Sequence, residues 1–218
     1  MNESTAEAPR AASPAENSRR ALQKKYLPFG LTALLVLAAD VASKTWALAT
    51  LTGLNQGTML VIPGHLDLRL VHNKGGAWGL LENASEGVRL PFFLIVSIVA
   101  VAFILSLYRK VRPDQHALRW ALPLVLGGAL GNASDRIVRV GVVDFIDYRA
   151  NWVLGMNRVL GKVAPDWVGV SHWPIFNVAD VAICVGVALM AIDMLTNKRG
   201  QKSERSVSAP LANSAGEQ

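Results

Sequence analysis

Charge and cysteine are both scarce in this sequence. Only 17% of the 218 residues are Asp, Glu, Lys or Arg, whereas a soluble domain normally carries about 25%. The composition therefore argues against an ordinary soluble domain. A single cysteine, Cys184, is present, so no intramolecular disulfide can form. Because Cys184 lies within an apolar run, we interpret it as a small apolar packing residue.

Motifs for metal, cofactor and nucleic-acid binding are also missing. The histidines are scattered and include no His-Glu-x-x-His sequence; they are His65, His72, His116 and His172. We find no glycine-rich phosphate loop and no Ser-His-Asp order. The net charge of +6 is not arranged as a basic face interleaved with aromatic residues, as a nucleic-acid groove requires. The sequence thus predicts no metal, no cofactor and no nucleic-acid partner.

Apolar residues, which make up 51% of the chain, are concentrated in four blocks. About 20 such residues are needed to cross a bilayer. The first block is interrupted by Asp40 and Lys44, and the last by Asp180. We predict an all-α integral membrane protein with one domain over residues 26–196. Its four spans are expected at about residues 28–50, 90–109, 118–135 and 174–195.

The flanks of these spans predict their orientation. Residues 1–25 and 197–218 are rich in small and polar residues and are predicted to be disordered tails. Lysine and arginine cluster before the first span, between the second and third, and after the fourth. Since such clusters remain cytoplasmic, we predict cytoplasmic termini and outer loops at about 52–89 and 136–170. The first apolar block is too long for a cleaved signal peptide.

Ionisable residues inside three of the spans converge at one depth. Counted from the inner basic flanks at 1.5 Å per residue, Asp40 lies about 22 Å, Asp135 about 24 Å and Asp180 about 27 Å into the membrane. The hydrocarbon core is about 30 Å thick, so these carboxyls lie near its outer edge, with Lys44 one turn above Asp40. Charges placed in this way usually face a bundle interior or a water-filled cavity.

Two interpretations of these carboxyls remain open on physical grounds. Two aspartates in one low-dielectric pocket retain a proton between them and can activate water for hydrolysis. Alternatively, they are salt-bridge or proton-relay partners in a small transporter or membrane assembly subunit. A relay would continue to the inner face, whereas the inner halves of spans two, three and four are apolar.

The outer loops contain two predicted structural elements. Residues 65–70 alternate between leucine and polar side chains, which predicts a strand with a leucine face in a small extracytoplasmic β-element. A turn follows at Gly75-Gly76, and Trp78 suits the membrane interface. In the second loop, residues 149–163 carry an apolar stripe that includes Trp152, which predicts an interfacial helix.

Small residues at helical spacing predict close helix packing. The third span contains Gly127-x-x-x-Gly131 and the fourth contains Ala182-x-x-x-Gly186. Residues of this size let two backbones approach closely. We therefore expect spans three and four to pack together.

Three motifs follow one another in the second half of the chain: Gly131-Asn132-x-x-Asp135-Arg136, Gly141-x-Val143-Asp144-Phe145 and Phe176-Asn177-x-Ala179-Asp180. Together with Asp40-x-x-x-Lys44, and with Asn73 before its glycine-rich turn, they resemble the ordered signature of the lipoprotein signal peptidase (signal peptidase II) family. The resemblance covers about residues 28–195 and all four predicted spans.

The resemblance implies a bacterial inner-membrane aspartic endopeptidase. Such enzymes remove signal peptides from prolipoproteins just before a diacylglyceryl-modified cysteine. The implied partners are these precursors and membrane lipid, and we expect a monomer with its active site near the outer face.

The resemblance also assigns residues. Asp144 and Asp180 are implied as the catalytic pair, and Asn73 as a substrate contact. The supporting polar residues it implies are Asn132, Asp135, Arg136 and Asn177. Asp40 and Lys44 are predicted to be a structural i,i+4 pair that neutralises itself.

Three aspartates compete for the first catalytic position. Asp135 is adjacent to Arg136, which suggests a permanently ionised carboxylate unsuited to a shared proton. Asp147 is interpreted as a solvated loop acid whose replacement by Asn is nearly silent, which leaves Asp144. One departure from the family pattern is the interval of 36 residues between Asp144 and Asp180, which is longer than expected.

Overall fold

A computed structural model describes residues 13–76, 80–81, 83–150, 152–153, 155–156 and 173–207. Four long helices run through this part of the chain: α1 (Pro14–Leu51), α2 (Glu86–Lys110), α3 (His116–Arg139) and α4 (Val178–Val207). An antiparallel sheet contains β1 (Thr58–Ile62), β2 (Leu66–Asn73) and β3 (Val142–Tyr148) in that order. We call the end of the bundle that carries this sheet the sheet end. The fold is mostly helical with one small sheet, as predicted.

Three stretches of helix are long and apolar enough to cross a membrane. They are Leu22–Leu51, Glu86–Lys110 and Val178–Thr196, with mean hydropathies of 1.6, 2.8 and 2.2. The protein is therefore a multi-pass membrane protein. Helix α3 has 24 residues, enough for about 36 Å, but it contains no stretch as apolar as these three. It contacts α1, α2 and α4, so protein surrounds it and its polar side chains need not face lipid.

Helix α1 begins well before its predicted span. Ser13 caps it by accepting the backbone N–H of Glu16 at 3.3 Å, and Pro14 opens its first turn. Both are typical start signals. The structure thus places helix over residues 14–25, where the sequence predicted a disordered tail, and continues α4 to Val207 into the second predicted tail. Once a spanning helix is nucleated, each added residue gains one backbone hydrogen bond and needs no core.

Glycines set the packing of α3 on two neighbours. An added Cβ at Gly128 would lie 2.5 Å from the Ala179 carbonyl oxygen of α4, and one at Gly186 would lie 2.8 Å from the Ala121 carbonyl oxygen of α3. The predicted packing of these two helices is therefore present in the structure. The predicted glycine pair is not the contact, because Gly127 faces α1 rather than α4, and so does Gly131.

The sheet places a polar side chain of β2 against β3. Asn73 pairs with Val142 and Val71 with Asp144 in the antiparallel register, after an irregularity between Leu68 and Val71. Leu68 and Leu70 pack on a cluster formed by buried side chains of α1 and β3. The predicted leucine face is therefore directed into the protein. The strand itself extends three residues beyond the predicted range, to Asn73.

A short backbone bridge fixes the start of α4 beside β3. The Phe176 carbonyl accepts the N–H groups of Phe145 and Ile146 at 3.1 and 2.9 Å, and the Phe176 N–H donates to the Ile146 carbonyl at 3.1 Å. Because Phe176 immediately precedes Asn177, this bridge delivers the third sequence motif to the second.

Three other sequence predictions need comment. Cys184 is exposed, so its interpretation as a packing residue is wrong; it lies on the outward face of an apolar helix. Trp78 lies outside the described residues. Most of the predicted interfacial helix at 149–163 also lies outside them; of its described residues, Trp152 is 57% exposed whereas Val153 is buried.

We expect Gly128→Ala to destabilise the protein, because the new methyl group would overlap the Ala179 carbonyl. Overpacking of this kind costs about 1–3 kcal/mol, which would lower the unfolding temperature in detergent. The matched control is Gly30→Ala in α1, where nothing lies within 4 Å of the added Cβ. Equal unfolding temperatures for the two variants would show that the α3–α4 contact is not close.

Candidate active site

The junction between β3 and α4 brings two aspartates together. Asn177 Oδ1 accepts the backbone N–H of Asp180 at 3.1 Å, and Asp180 Oδ2 accepts the N–H of Asn177 at 3.2 Å. This reciprocal pair is an Asn/Asp version of a capping box. Asn177 Nδ2 also donates to Asp144 Oδ1 at 2.7 Å. One fully buried asparagine therefore connects the carboxyl of β3 to the carboxyl of α4.

Asp144 lies in a nearly dry environment. Asp144 is only 3% exposed, and its Oδ2 accepts an N–H from Asn73 Nδ2 at 3.0 Å. The pKa of Asp144 is raised to about 7: burial is the largest cause and the negative charge of Asp180 the next, while the hydrogen bonds from Asn73 and Asn177 oppose the rise. A carboxyl with such a pKa can hold a proton at neutral pH and exchange it during a reaction.

Asp180 has a more polar environment. It is half-buried, and its Oδ1 accepts an N–H from Asn132 Nδ2 at 2.9 Å. Together with the Asn177 bond, both carboxylate oxygens therefore accept hydrogen bonds. Asp180 also lies in the first turn of α4, where the positive end of the helix dipole favours a negative charge. These contacts all suit the ionised form of the carboxyl.

Behind the aspartate pair lies a fully buried lysine. Lys44 Nζ is 2.7 Å from Asp40 Oδ2 and 3.0 Å from Asp135 Oδ2, and it donates to Asn132 Oδ1 at 3.0 Å. Its three N–H groups thus have three acceptors. The predicted i,i+4 pair of Asp40 and Lys44 is present, and Lys44 also neutralises Asp135, which the sequence analysis did not predict.

Asp135 pairs with Arg139, one turn further along α3. The sequence argument paired it with the adjacent Arg136, and that pairing is wrong. Neighbouring helical residues point in different directions, whereas residues four apart share a face. Sequence reasoning missed Arg139, although its i,i+4 spacing from Asp135 was a usable signal. Asp135 Oδ2 also accepts the Val143 N–H at 3.0 Å, which fixes the beginning of β3.

Arg136 instead organises the turn after Asn73. Its guanidinium donates to the Gly75 carbonyl and to the Asn132 carbonyl, each at 3.1 Å. It also lies 4.4 Å from the centre of the Phe93 ring, a favourable cation–π distance. Arg136 thereby connects α3, α2 and the turn that carries Asn73.

Asp40 links α1 to the start of α4. Its Oδ1 accepts the Ala179 N–H at 2.9 Å, which satisfies one of the unpaired donors at the helix start. Its other oxygen lies so close to Gly131 that a Cβ there would overlap it. The glycine of the first sequence motif is thus explained by the space that the Asp40 carboxylate occupies.

All nine site residues predicted from the sequence lie in this one hydrogen-bonded network. With Arg139, the network contains four carboxyls and three cations; the cations are Lys44, Arg136 and Arg139, and the carboxyls are Asp40, Asp135, Asp144 and Asp180. The charges balance when one carboxyl retains a proton. Because a low-dielectric site disfavours net charge, one proton on the Asp144–Asp180 pair is the favoured state.

Comparison with known proteins gives the same residues a family. Residues 32–196 match the family model of signal peptidase II. A lipoprotein signal peptidase of Syntrophotalea carbinolica is 42% identical over 162 residues, which cover 74% of this chain and 87% of the relative. One from Geobacter metallireducens is 37% identical over 183 residues, covering 84% and 99%. This chain belongs to the signal peptidase II family.

Solved structures support the same grouping at the level of the fold. A bacterial membrane enzyme determined by the in meso method at 2.3 Å resolution has a TM-score of 0.61 and 29% identity to this chain. The similarity covers 78% of this chain and 89% of that structure. The family match begins within α1 and ends within α4, so it includes every element that contributes to the network.

One aspartate of this signal peptidase II member lies elsewhere than predicted. Asp147 is 0% exposed and is not a solvated loop acid. Arg149 Nη2 lies 3.0 Å from Asp147 Oδ2 and 3.0 Å from Asp67 Oδ2. Asp67 and Asp147 face each other across β2 and β3, where like charges would repel without the arginine. Asp67 lies on the neighbouring strand, so the sequence pattern alone does not reveal that it is next to Asp147.

We expect Arg149→Gln to destabilise the sheet by about 2–3 kcal/mol, because two opposed buried carboxylates lose their cation. This is below the usual range for a buried pair, since Arg149 is 37% exposed. The control is Arg112→Gln: its partner is Asp114, both side chains are about two-thirds exposed, and surface pairs contribute about 0–1 kcal/mol. Unfolding in detergent measures both, and equal effects would contradict a buried Arg149 cluster.

Proposed function

We propose that this chain is a membrane-embedded aspartic endopeptidase that removes signal peptides from prolipoproteins just before the diacylglyceryl-modified cysteine. Membership of the signal peptidase II family and the lipoprotein signal peptidases among its relatives support the reaction. The observation that carries the residue assignment is the bridge from Asp144 through Asn177 to Asp180. A proton relay for transport has no comparable support.

The two carboxyls are proposed to have different resting protonation states. Asp144 holds the proton, because it is the more buried of the two and its pKa is raised to about 7. Asp180 is the ionised partner, since N–H groups donate to both of its oxygens at the positive end of α4. Such an arrangement supplies a general base and a general acid at the same pH.

The proposed reaction needs only water and these two carboxyls. Asp180 takes a proton from water as the water oxygen bonds to the scissile carbonyl carbon, and Asp144 gives its proton to the carbonyl oxygen. The tetrahedral intermediate then collapses and the carbon–nitrogen bond breaks. Asp180 gives its proton to the leaving amine, and a hydroxyl of the intermediate returns one to Asp144. Both carboxyls finish as they began. The absence of a metal or cofactor remains a prediction.

The turn after β2 is proposed to hold the substrate backbone. Asn73 donates only one of its amide N–H bonds to Asp144, so the amide retains hydrogen-bonding capacity for a peptide. Arg136 fixes the adjacent Gly75 carbonyl, which limits movement of the turn. A peptide lying here would have its scissile bond beside Asp144.

The membrane topology is also a proposal. We propose that α3 is a fourth span, because its length suffices and three apolar helices contact it. The distribution of lysine and arginine supports cytoplasmic termini, with the sheet end at the outer face of the bacterial inner membrane. Residues 149–163 are proposed to lie at the interface beside the site. A monomeric state remains a prediction.

We expect Asp144→Asn and Asp180→Asn each to lower the cleavage rate by about 10³-fold or more, because general acid–base catalysis contributes roughly 10²–10⁴-fold. Cleavage of a lipidated precursor by the purified, folded variants is the measurement. Asp114→Asn, at an exposed position in the loop before α3, is the matched control and should retain activity. Near-normal cleavage by either of the first two variants would refute the assignment.

We expect the cleavage rate to fall as pH rises through about 7, because Asp144 loses its proton there. The Asn73 N–H stabilises the ionised form and lowers this pKa. Asn73→Ala should therefore raise the pKa and move the high-pH limb of kcat/KM to higher pH, besides lowering its amplitude. A limb that stays in place or moves to lower pH would contradict the proposed role of Asp144.

A further inference from the structure

A cavity lies at the end of the bundle opposite the sheet. Its volume is about 330 Å³, and it is lined by Pro28, Tyr108, His116, Arg119 and Trp120. These residues come from α1, α2 and α3. Arg119 precedes Asp135 by 16 residues in α3, which corresponds to about 24 Å along the helix. The cavity is therefore separate from the carboxyl network.

Contacts between α1 and α2 give this cavity a fixed wall. Tyr108 is 2% exposed, its hydroxyl donates to the Lys25 carbonyl at 2.7 Å, and its ring lies 4.0 Å from that of Phe29. The Lys25 ammonium donates to the carbonyls of Arg109 and Val111 at 3.0 and 3.2 Å. Both contacts tie the ends of the two helices together, so the wall does not depend on an occupant.

Arg119 supplies positive charge to the lining of the cavity, and Lys25 lies in its wall. Neither Arg119 nor Lys25 forms an ion pair with a described carboxylate, although Arg119 interacts with the Tyr108 hydroxyl. Of the acids nearby, Asp114 lies 3.1 Å from Arg112, and Asp193 accepts a glutamine N–H at 3.3 Å. The first turn of α3 contains no acid, so its positive dipole end adds to the field.

Two exposed apolar side chains lie at the cavity or next to one of its lining residues. Trp120 is 56% exposed and Leu31, on the same face of α1 as Pro28, is 51% exposed. In a membrane helix such side chains contact lipid, and tryptophan favours the level of the headgroups. A half-buried arginine beside an exposed tryptophan therefore offers one anionic and one apolar contact to the same molecule.

We propose that this cavity binds an anionic phospholipid, with its phosphate on Arg119 and its acyl chains along Trp120 and Leu31. Basic pockets between membrane helices are a recognised way of holding acidic headgroups. A zwitterionic phospholipid has the same phosphate, but its ammonium group would be repelled by Arg119 and Lys25. The site thus selects lipids by net charge.

Binding of phosphatidylglycerol to the purified full chain in detergent tests this, measured by native mass spectrometry against phosphatidylcholine and with inorganic phosphate as competitor. We expect one phosphatidylglycerol to bind, and Arg119→Gln to weaken it roughly tenfold, as expected for losing one charge-assisted hydrogen bond. The matched control is Lys110→Gln, which removes an exposed charge that does not line the cavity. It should leave binding unchanged.

Two further measurements test where the lipid binds and whether the Arg119 variant folds. Brominated phosphatidylglycerol should quench the protein's fluorescence less in Trp120→Phe than in the unaltered chain. Should Arg119→Gln fail to fold, Arg119→Lys keeps the charge and should bind within about threefold of the unaltered chain.

Three results would overturn the proposal. One is equal binding by the unaltered chain and Arg119→Gln, and another is the same loss in Lys110→Gln, which would indicate a diffuse charge effect. The third is displacement of the lipid by inorganic phosphate at similar concentration, which would indicate a free-anion site. None of these measurements uses peptide cleavage.

Discussion

The buried ammonium of Lys44 is the interaction on which the geometry of the site depends. It neutralises Asp40 and Asp135 at 2.7 and 3.0 Å, and each carboxylate in turn accepts a backbone N–H from a different element. Asp40 accepts from Ala179 at the start of α4, and Asp135 from Val143 in β3. A buried carboxylate without its cation costs several kcal/mol or takes up a proton. Without Lys44, the hydrogen bonds that Asp40 and Asp135 accept from Ala179 and Val143 would weaken. The two carboxylates would then no longer hold β3 and the start of α4 in place.

This support explains how two carboxyls can be held close together. The repulsion between Asp144 and Asp180 is reduced by Asn177, which donates to Asp144 from its side chain and to Asp180 from its backbone. Asparagine brings donors without adding charge. A lysine or arginine at the same position would favour ionisation of both carboxyls. The cations of the network are accordingly placed behind the pair, on Asp135 and Asp40, or on the Gly75 turn.

Much of this site could be predicted from one sequence, and the failures concern the partners of individual side chains. Helical rise alone placed Asp40, Asp135 and Asp180 at one level, and the structure joins them through one network. Asp144 was chosen from the family resemblance. It lies in a strand beyond the end of α3, so its depth in the membrane cannot be calculated from the helical rise per residue. The errors concern partners: Asp135 pairs with Arg139, and Asp147 is buried beside Asp67. The i,i+4 spacing of Asp135 and Arg139 was a usable signal. The position of Asp147 beside Asp67 depends instead on strand register, which adjacency in the chain does not encode.

The distribution of charge along the helices limits what the aspartate pair can do. No Asp, Glu, Lys, Arg or His occurs in the sequence between Lys25 and Asp40, Arg119 and Asp135, or Asp180 and Asp193. These intervals correspond to about 20 Å of apolar helix, closed by glycines that bring α3 against its neighbours. A proton relay needs groups within hydrogen-bonding reach of one another, and a charge at that depth is costly. A pair of carboxyls so isolated from the opposite face is suited to exchanging protons with a substrate and water at the sheet end, which is the requirement of hydrolysis and not of transport.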